Sequence, residues 1–136
     1  MDDRVLFRVE ASKRLSNRWD TQYVTGVALF DLGRHAEAEP YLEKAARLNP
    51  NDWKPARQLA ENAWRIERKE EAMARVRDFS SRRPEMAQPY ILLGDMMVAL
   101  GRADEARAVW EEGMKKTGGD PEIASRLEPA APPAGP

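Results

Sequence analysis

The chain of 136 residues has no cysteine, which excludes disulfides and thiol chemistry. Its single histidine, His35, therefore has neither a cysteine nor a second histidine with which to build a metal site. Placed at the start of a helix just after a turn, His35 reads as an ordinary exposed residue. Glycines are few, and none has phosphate-cradling spacing: Gly118-Gly119 is a helix-ending pair, not a P-loop or dinucleotide fingerprint. Carboxylate pairs such as Glu70-Glu71, Asp104-Glu105 and Glu111-Glu112 fall on helix exteriors, where they serve ion pairing or solvation. With no nucleophile–base or metal constellation, the expectation is a protein that is not an enzyme and carries no cofactor.

Long apolar runs are also missing. Nothing approaches the roughly 18–20 uninterrupted apolar residues of a membrane span, and Met1-Asp2-Asp3 opens acidic where a secretory leader is basic and then apolar. The expectation is a cytoplasmic chain without a membrane partner. The net charge of −1 gives no overall attraction to nucleic acid or to an anionic surface. Its distribution is uneven, at +2 for residues 1–18, −3 for 19–52, +4 for 53–84 and −4 for 85–128. Two readings of that alternation stand: stacked units attract their neighbours, or the basic middle forms a local site for an acidic ligand.

What the chain does have is a match to itself at a spacing of 34 residues. Gly26, Ala60 and Gly94 fall in step, as do Ala38, Ala72 and Ala106, then Leu42, Val76 and Trp110, and Pro50, Pro84 and Gly118. A fixed period of this size marks stacked supersecondary units, none of which buries its apolar face alone. Each period reads as two helices and a tight turn. Val24, Ala28, Leu29 and Leu32 have helical spacing, and Gly33 ends that helix. A second helix runs from about His35 to Leu48 and stops at Asn49-Pro50. The later units give helices near 53–66, 69–82, 87–100 and 103–116. Small residues 12 apart (Gly26 and Ala38, Ala60 and Ala72, Gly94 and Ala106) are expected to meet across each hairpin. Leu29, Leu42, Leu59, Val76, Phe79, Leu93, Met97 and Trp110 form the expected core.

The arrangement Gly26…Leu29…Gly33…Ala38…Leu42…Ala45…Pro50 resembles a tetratricopeptide repeat, and Leu93-Gly94…Gly101…Ala106…Trp110 resembles another. The middle unit departs from the pattern, with Glu67 at the turn glycine and Ala60 and Ala63 where a glycine and a bulky residue are usual. The resemblance implies an all-α, right-handed α-solenoid of stacked antiparallel helix pairs. Its expected organisation is an N-terminal capping helix or half-repeat at 1–18, repeats at 19–52, 53–86 and 87–118, a short capping helix at 119–128 and a Pro/Ala-rich tail at 129–136. On the first segment, Val5, Leu6, Val9 and Leu15 share a face, and Glu10-Ala11-Ser12-Lys13 echoes Lys44-Ala45-Ala46-Arg47. The short last helix, with Ile123 and Leu127 on its edge, is expected to leave some of Val109 and Met114 to another chain.

In such repeats the first helix of each pair lines a concave groove, which implies rows of Phe30, Trp64 and Val98, of Tyr23, Arg57 and Ile91, and of Val27, Glu61 and Asp95. With Arg65 these make the candidate peptide-binding residues. Aromatics and arginine supply contact area with few rotamers to freeze. Glu61 stands one helical step from both Arg57 and Arg65, so one is neutralised by it and the other is free for a ligand carboxylate or phosphate. The carboxylate clamp of the chaperone-binding subgroup is absent: the matching places hold Tyr23, Val27, Gln58, Gln88 and Leu92. The implied function is to bind a peptide segment or helix of another protein, with no nucleic acid and no chaperone-tail carboxylate. The alternative is a structural unit that forms homo-oligomers through exposed solenoid ends.

Overall fold

The computed structural model describes residues 2–15 and 17–128, and the expected tail at 129–136 lies outside the described residues. The described elements are all helices: α1 (Asp3–Arg14), α2 (Trp19–Asp31), α3 (His35–Leu48), α4 (Trp53–Arg65), α5 (Lys69–Arg82), α6 (Ala87–Ala99), α7 (Ala103–Thr117) and α8 (Pro121–Leu127). Three begin at an aspartate whose carboxylate takes up a free N–H of the first turn: Asp2 from Arg4, Asp52 from Lys54 and Asp120 from Glu122 and Ile123.

The turns inside the hairpins repeat one geometry. Gly33, Glu67 and Gly101 lie 34 residues apart, with φ of 75°, 66° and 75°. At each, the N–H bonds back three residues and the next N–H bonds back five: Gly33 to Phe30 and Arg34 to Leu29, both 2.9 Å; Glu67 to Trp64, 3.2 Å, and Arg68 to Ala63, 2.9 Å; Gly101 to Val98, 2.9 Å, and Arg102 to Met97, 2.8 Å. Glu67 takes the left-handed conformation in spite of its Cβ, which costs about 1–2 kcal/mol. The bonds that close the turn hold it there.

The chain divides between Arg82 and Arg83 into two compact units. In the first, α2 pairs with α3 and α4 with α5, α3 packs on α4, and α1 packs on α2. Leu29, Leu42, Leu59 and Val5 make its apolar cluster, with Tyr23 and Phe30 half-buried against it. Trp53 tilts onto the buried Phe79 at 5.2 Å. The charge alternation resolves here as attraction between neighbours. Arg68 in the α4–α5 turn reaches Glu39 on α3 at 2.9 Å, Arg75 on α5 reaches Glu43 at 2.9 Å, and Arg82 donates to the Pro50 carbonyl at 2.9 Å.

In the second unit α6 and α7 form the hairpin, and α8 packs against both. Tyr90, Leu93, Met97, Trp110 and Ile123 are buried, and the Tyr90 hydroxyl donates to the Pro84 carbonyl at 2.8 Å. Val109 is only 6% exposed, so the expectation that it is left to another chain is corrected, while Met114 is half-buried.

Two further expectations are corrected. At Gly26 and Gly94 the nearest neighbour across the hairpin is not the expected alanine. A Cβ on Gly26 would stand 2.5 Å from Leu42 Cδ2, and one on Gly94 would collide with the indole of Trp110, so each glycine receives a large side chain. Its counterpart alanines, Ala38 and Ala106, are buried without being that partner. On α1, Val5 is buried but Leu6 and Leu15 are exposed. The inward face of this helix is mixed: Val5 and Val9 pack on the apolar cluster, and Ser12 turns in beside them.

Candidate binding site

The candidate residues of the first unit gather at the ends of α2 and α4. At the C-terminal end of α2, Phe30 is half-buried and meets the His35 ring edge-on, with centroids 4.8 Å apart at 80°. Arg65, in the last turn of α4, holds its guanidinium 5.7 Å from the Phe30 ring centroid. Such a cation over an aromatic face gains about 0.5–1 kcal/mol when exposed. Trp64 is half-buried, with the Lys69 ammonium 4.1 Å from its ring centroid and bonded to its carbonyl at 3.1 Å.

Two turns earlier, Arg57 Nε donates to Glu61 Oε1 at 3.1 Å. That decides which arginine is neutralised. Arg57 is the paired one, and Arg65 has no carboxylate partner among the described residues. Tyr23 lies in the field of the same pair. Burial raises its phenol above the ordinary value, with Arg57 pulling the other way and Asp52, Glu61 and Asp31 adding to the rise. Trp19 leans on Tyr23 at 5.9 Å, and Val27 is half-buried on the same helix.

The remaining three candidates belong to α6 in the second unit. Ile91 is 8% exposed and serves the packing of that unit instead of lining an open surface. Asp95 is held by Arg126 of α8 through two bonds of 2.9 and 3.0 Å. Val98 is 49% exposed and remains available.

His35 is the functional neighbour that the sequence reading undervalued. It is half-buried, and its carbonyl accepts from Asn62 Nδ2 at 2.9 Å while its Nδ1 lies 3.1 Å from Asn62 Oδ1. The amide orientation fixed by the first bond makes Nδ1 the protonated nitrogen in the second. His35 thus ties the start of α3 to α4 and sets the angle at which it supports Phe30. A signal existed: Asn62 falls in step with Ala28 and Met96, a buried polar residue where the other periods are apolar.

A second concavity lies between α1 and α2. It has a volume of about 590 Å³ and is lined by Asp3, Arg4, Phe7, Arg8, Ala11, Asp20, Thr21, Val24 and Thr25. Nothing in the periodic pattern singled it out. Among the described residues no group of three or more His, Cys, Asp or Glu is placed to hold a metal ion, and no helix is long and apolar enough to cross a membrane.

Two family models of the tetratricopeptide repeat match, one over residues 19–52 and one over 87–112. No curated protein matches the sequence. Among solved structures, MamA is similar at a TM-score of 0.70 and 19% identity, over 90% of this chain and 72% of that one. YrrB, described as a TPR protein with an unusual peptide-binding site, is similar at 0.63 and 21%, over 79% of this chain and 55% of that one. SycD, a type III secretion translocator chaperone of Yersinia enterocolitica, is similar at 0.64 and 12%, over 80% of this chain and 88% of that one. At these identities the likeness is one of fold, a helical-repeat solenoid.

Proposed function

Because residues 19–52 and 87–112 make this chain a tetratricopeptide repeat protein, we propose that it works as a non-enzymatic protein-interaction module whose first unit grips a segment of a partner through Tyr23, Val27, Phe30, Arg57, Glu61, Trp64 and Arg65. The observation that carries the reading is the unequal fate of two arginines on one helix. Arg57 is neutralised by Glu61, whereas Arg65 rests on an aromatic ring with its charge unspent. A ring with a free guanidinium beside it fits an apolar side chain followed by a carboxylate or a phosphate. Tyr23 and Trp64 extend the apolar contact along α2 and α4, and the Arg57–Glu61 pair offers polar register at the rim.

The alternative, self-assembly through exposed solenoid ends, has less support at Val109, which is buried. The test of the groove is affinity capture with the wild-type chain beside Trp64→Ala and Arg65→Gln, followed by titration of the captured partner. Trp64→Ala should weaken binding by about 2 kcal/mol or more if the ring is a buried anchor. Arg65→Gln should weaken it and flatten its salt dependence. Unchanged affinity in both folded variants would overturn the assignment.

A further inference from the structure

The 34-residue register reaches back into α1 and explains the concavity beside it. Arg4 is in step with Ala38, Ala72 and Ala106, Arg8 with Leu42, Val76 and Trp110, and Ala11 with Ala45, Phe79 and Gly113. In the later periods these residues are buried, and Leu42 and Trp110 are the side chains that press on Gly26 and Gly94 of the first helix of their own hairpin. On α1 the same three positions line the open groove. Phe7, beside them in the groove lining, is 68% exposed. The groove is therefore the hairpin face of a second helix, with no first helix laid across it among the described residues.

We propose that this groove docks an amphipathic helix of a partner polypeptide that carries two carboxylates one turn apart. The charge of the groove selects that occupant. Arg4 and Arg8 are four residues apart on one face, and neither has a carboxylate partner among the described residues. Of the two acids on the rim, Asp20 is already bound by Arg18 at 2.9 and 3.2 Å, which leaves Asp3 against two guanidiniums. A helix laid over the groove covers Arg8 at the place where the other hairpins bury an apolar side chain. An arginine covered without a counter-charge is strongly unfavourable, so the occupant must bring carboxylates at i and i+4. Phe7 and Val24, both exposed and apolar, then receive an apolar residue set between those acids. The site is separate from the α2–α4 surface assigned above.

The experiment uses two stapled helices, identical except for a Glu or a Lys pair at i,i+4 around a central leucine, titrated into the full chain by fluorescence anisotropy. The Glu helix should bind about tenfold or more tightly than the Lys helix, as expected for complementary charge pairs. Arg4→Gln/Arg8→Gln should abolish the preference, Arg4→Glu/Arg8→Glu should reverse it, and Phe7→Ser should weaken both helices, each variant being checked for native helicity by circular dichroism. Equal binding, no binding, or a preference that survives charge reversal would overturn the proposal. So would binding lost in Phe30→Ala/Trp64→Ala but kept in the arginine variants, since that places the helix on the other surface. Sedimentation of the wild-type chain as a dimer that Phe7→Ser dissolves would also overturn it, with a second copy as the occupant.

Discussion

The helices α1 and α8 each flank a hairpin, and the balance of apolar and polar contacts that seats them differs. α8 has only seven residues, yet Ile123 is fully buried, a Cβ on Gly113 would stand 3.0 Å from its Cδ1, and Arg126 clasps Asp95 with two bonds. α1 has twelve residues and, besides Val5 and Val9 on the apolar cluster, is held by buried polar groups. The Gln22 amide donates to the Ser12 carbonyl at 3.0 Å, the Ser12 and Thr25 hydroxyls lie 2.5 Å apart, and Thr25 is within donating reach of the Thr21 and Arg8 carbonyls at 2.9 and 3.1 Å. All three side chains are buried. One deep apolar anchor lets a short helix close its hairpin. Polar anchors hold a longer helix in place while Leu6 and Phe7 stay outside, and that leaves the α1 face open for a partner.

The largest test of this contrast removes the apolar anchor. Ile123→Ala deletes a fully buried side chain, and such truncations cost about 2–5 kcal/mol. Denaturant unfolding should show that loss, and hydrogen exchange should place the earliest opening in α8 and the facing turn of α7. A cost below about 1 kcal/mol would mean that α8 is not held by its apolar side, since partial collapse of a cavity rarely recovers more.

The polar anchor should yield less and respond differently. Thr25→Val keeps the shape and leaves the Ser12 hydroxyl only its long 3.4 Å bond to the Thr21 carbonyl, a loss of about 1–3 kcal/mol. Ser12→Ala/Thr25→Val removes both hydroxyls and should cost less than the two single changes together. Strict additivity in that double-mutant cycle would show that the two hydroxyls do not act as one seat.

These differences bear on what the sequence carries. Helix ends were legible because their signals are local: Gly33 and Gly101 at the turns, Asn49-Pro50 as a stop. The core was legible through the period, and Leu29, Leu42, Leu59, Val76, Phe79, Leu93, Met97 and Trp110 are all buried. The partner of each small residue was not, because a spacing of 12 and a spacing of 16 both place residues opposite across a hairpin, and only packing chooses Leu42 over Ala38 for Gly26. Of the α1 face, hydropathy pointed to Val5, Leu6, Val9 and Leu15; Val5 and Val9 do turn inward, but Leu6 and Leu15 do not, and Ser12 joins the inward face because Thr25 and Gln22 receive it. At the candidate site the pattern placed Glu61 between two arginines and left open which it would bind; side-chain direction settled it for Arg57. His35 escaped notice because its partner Asn62 lies 27 residues away, off the period.

The smallest effect expected is at the most conspicuous contact. Arg126 and Asp95 make a bidentate pair, but their side chains are 34% and 43% exposed, so water screens the attraction and ordering the long side chain offsets part of it. Arg126→Gln should therefore cost about 0–1 kcal/mol, shrinking further in 1 M salt. The comparison sharpens if that order holds, with Ile123→Ala above Thr25→Val and Thr25→Val above Arg126→Gln. Should Arg126→Gln cost more than Thr25→Val, α8 would be held by charge, its seating would weaken with salt, and the two ends would differ in the kind of polar contact they use instead of in apolar burial.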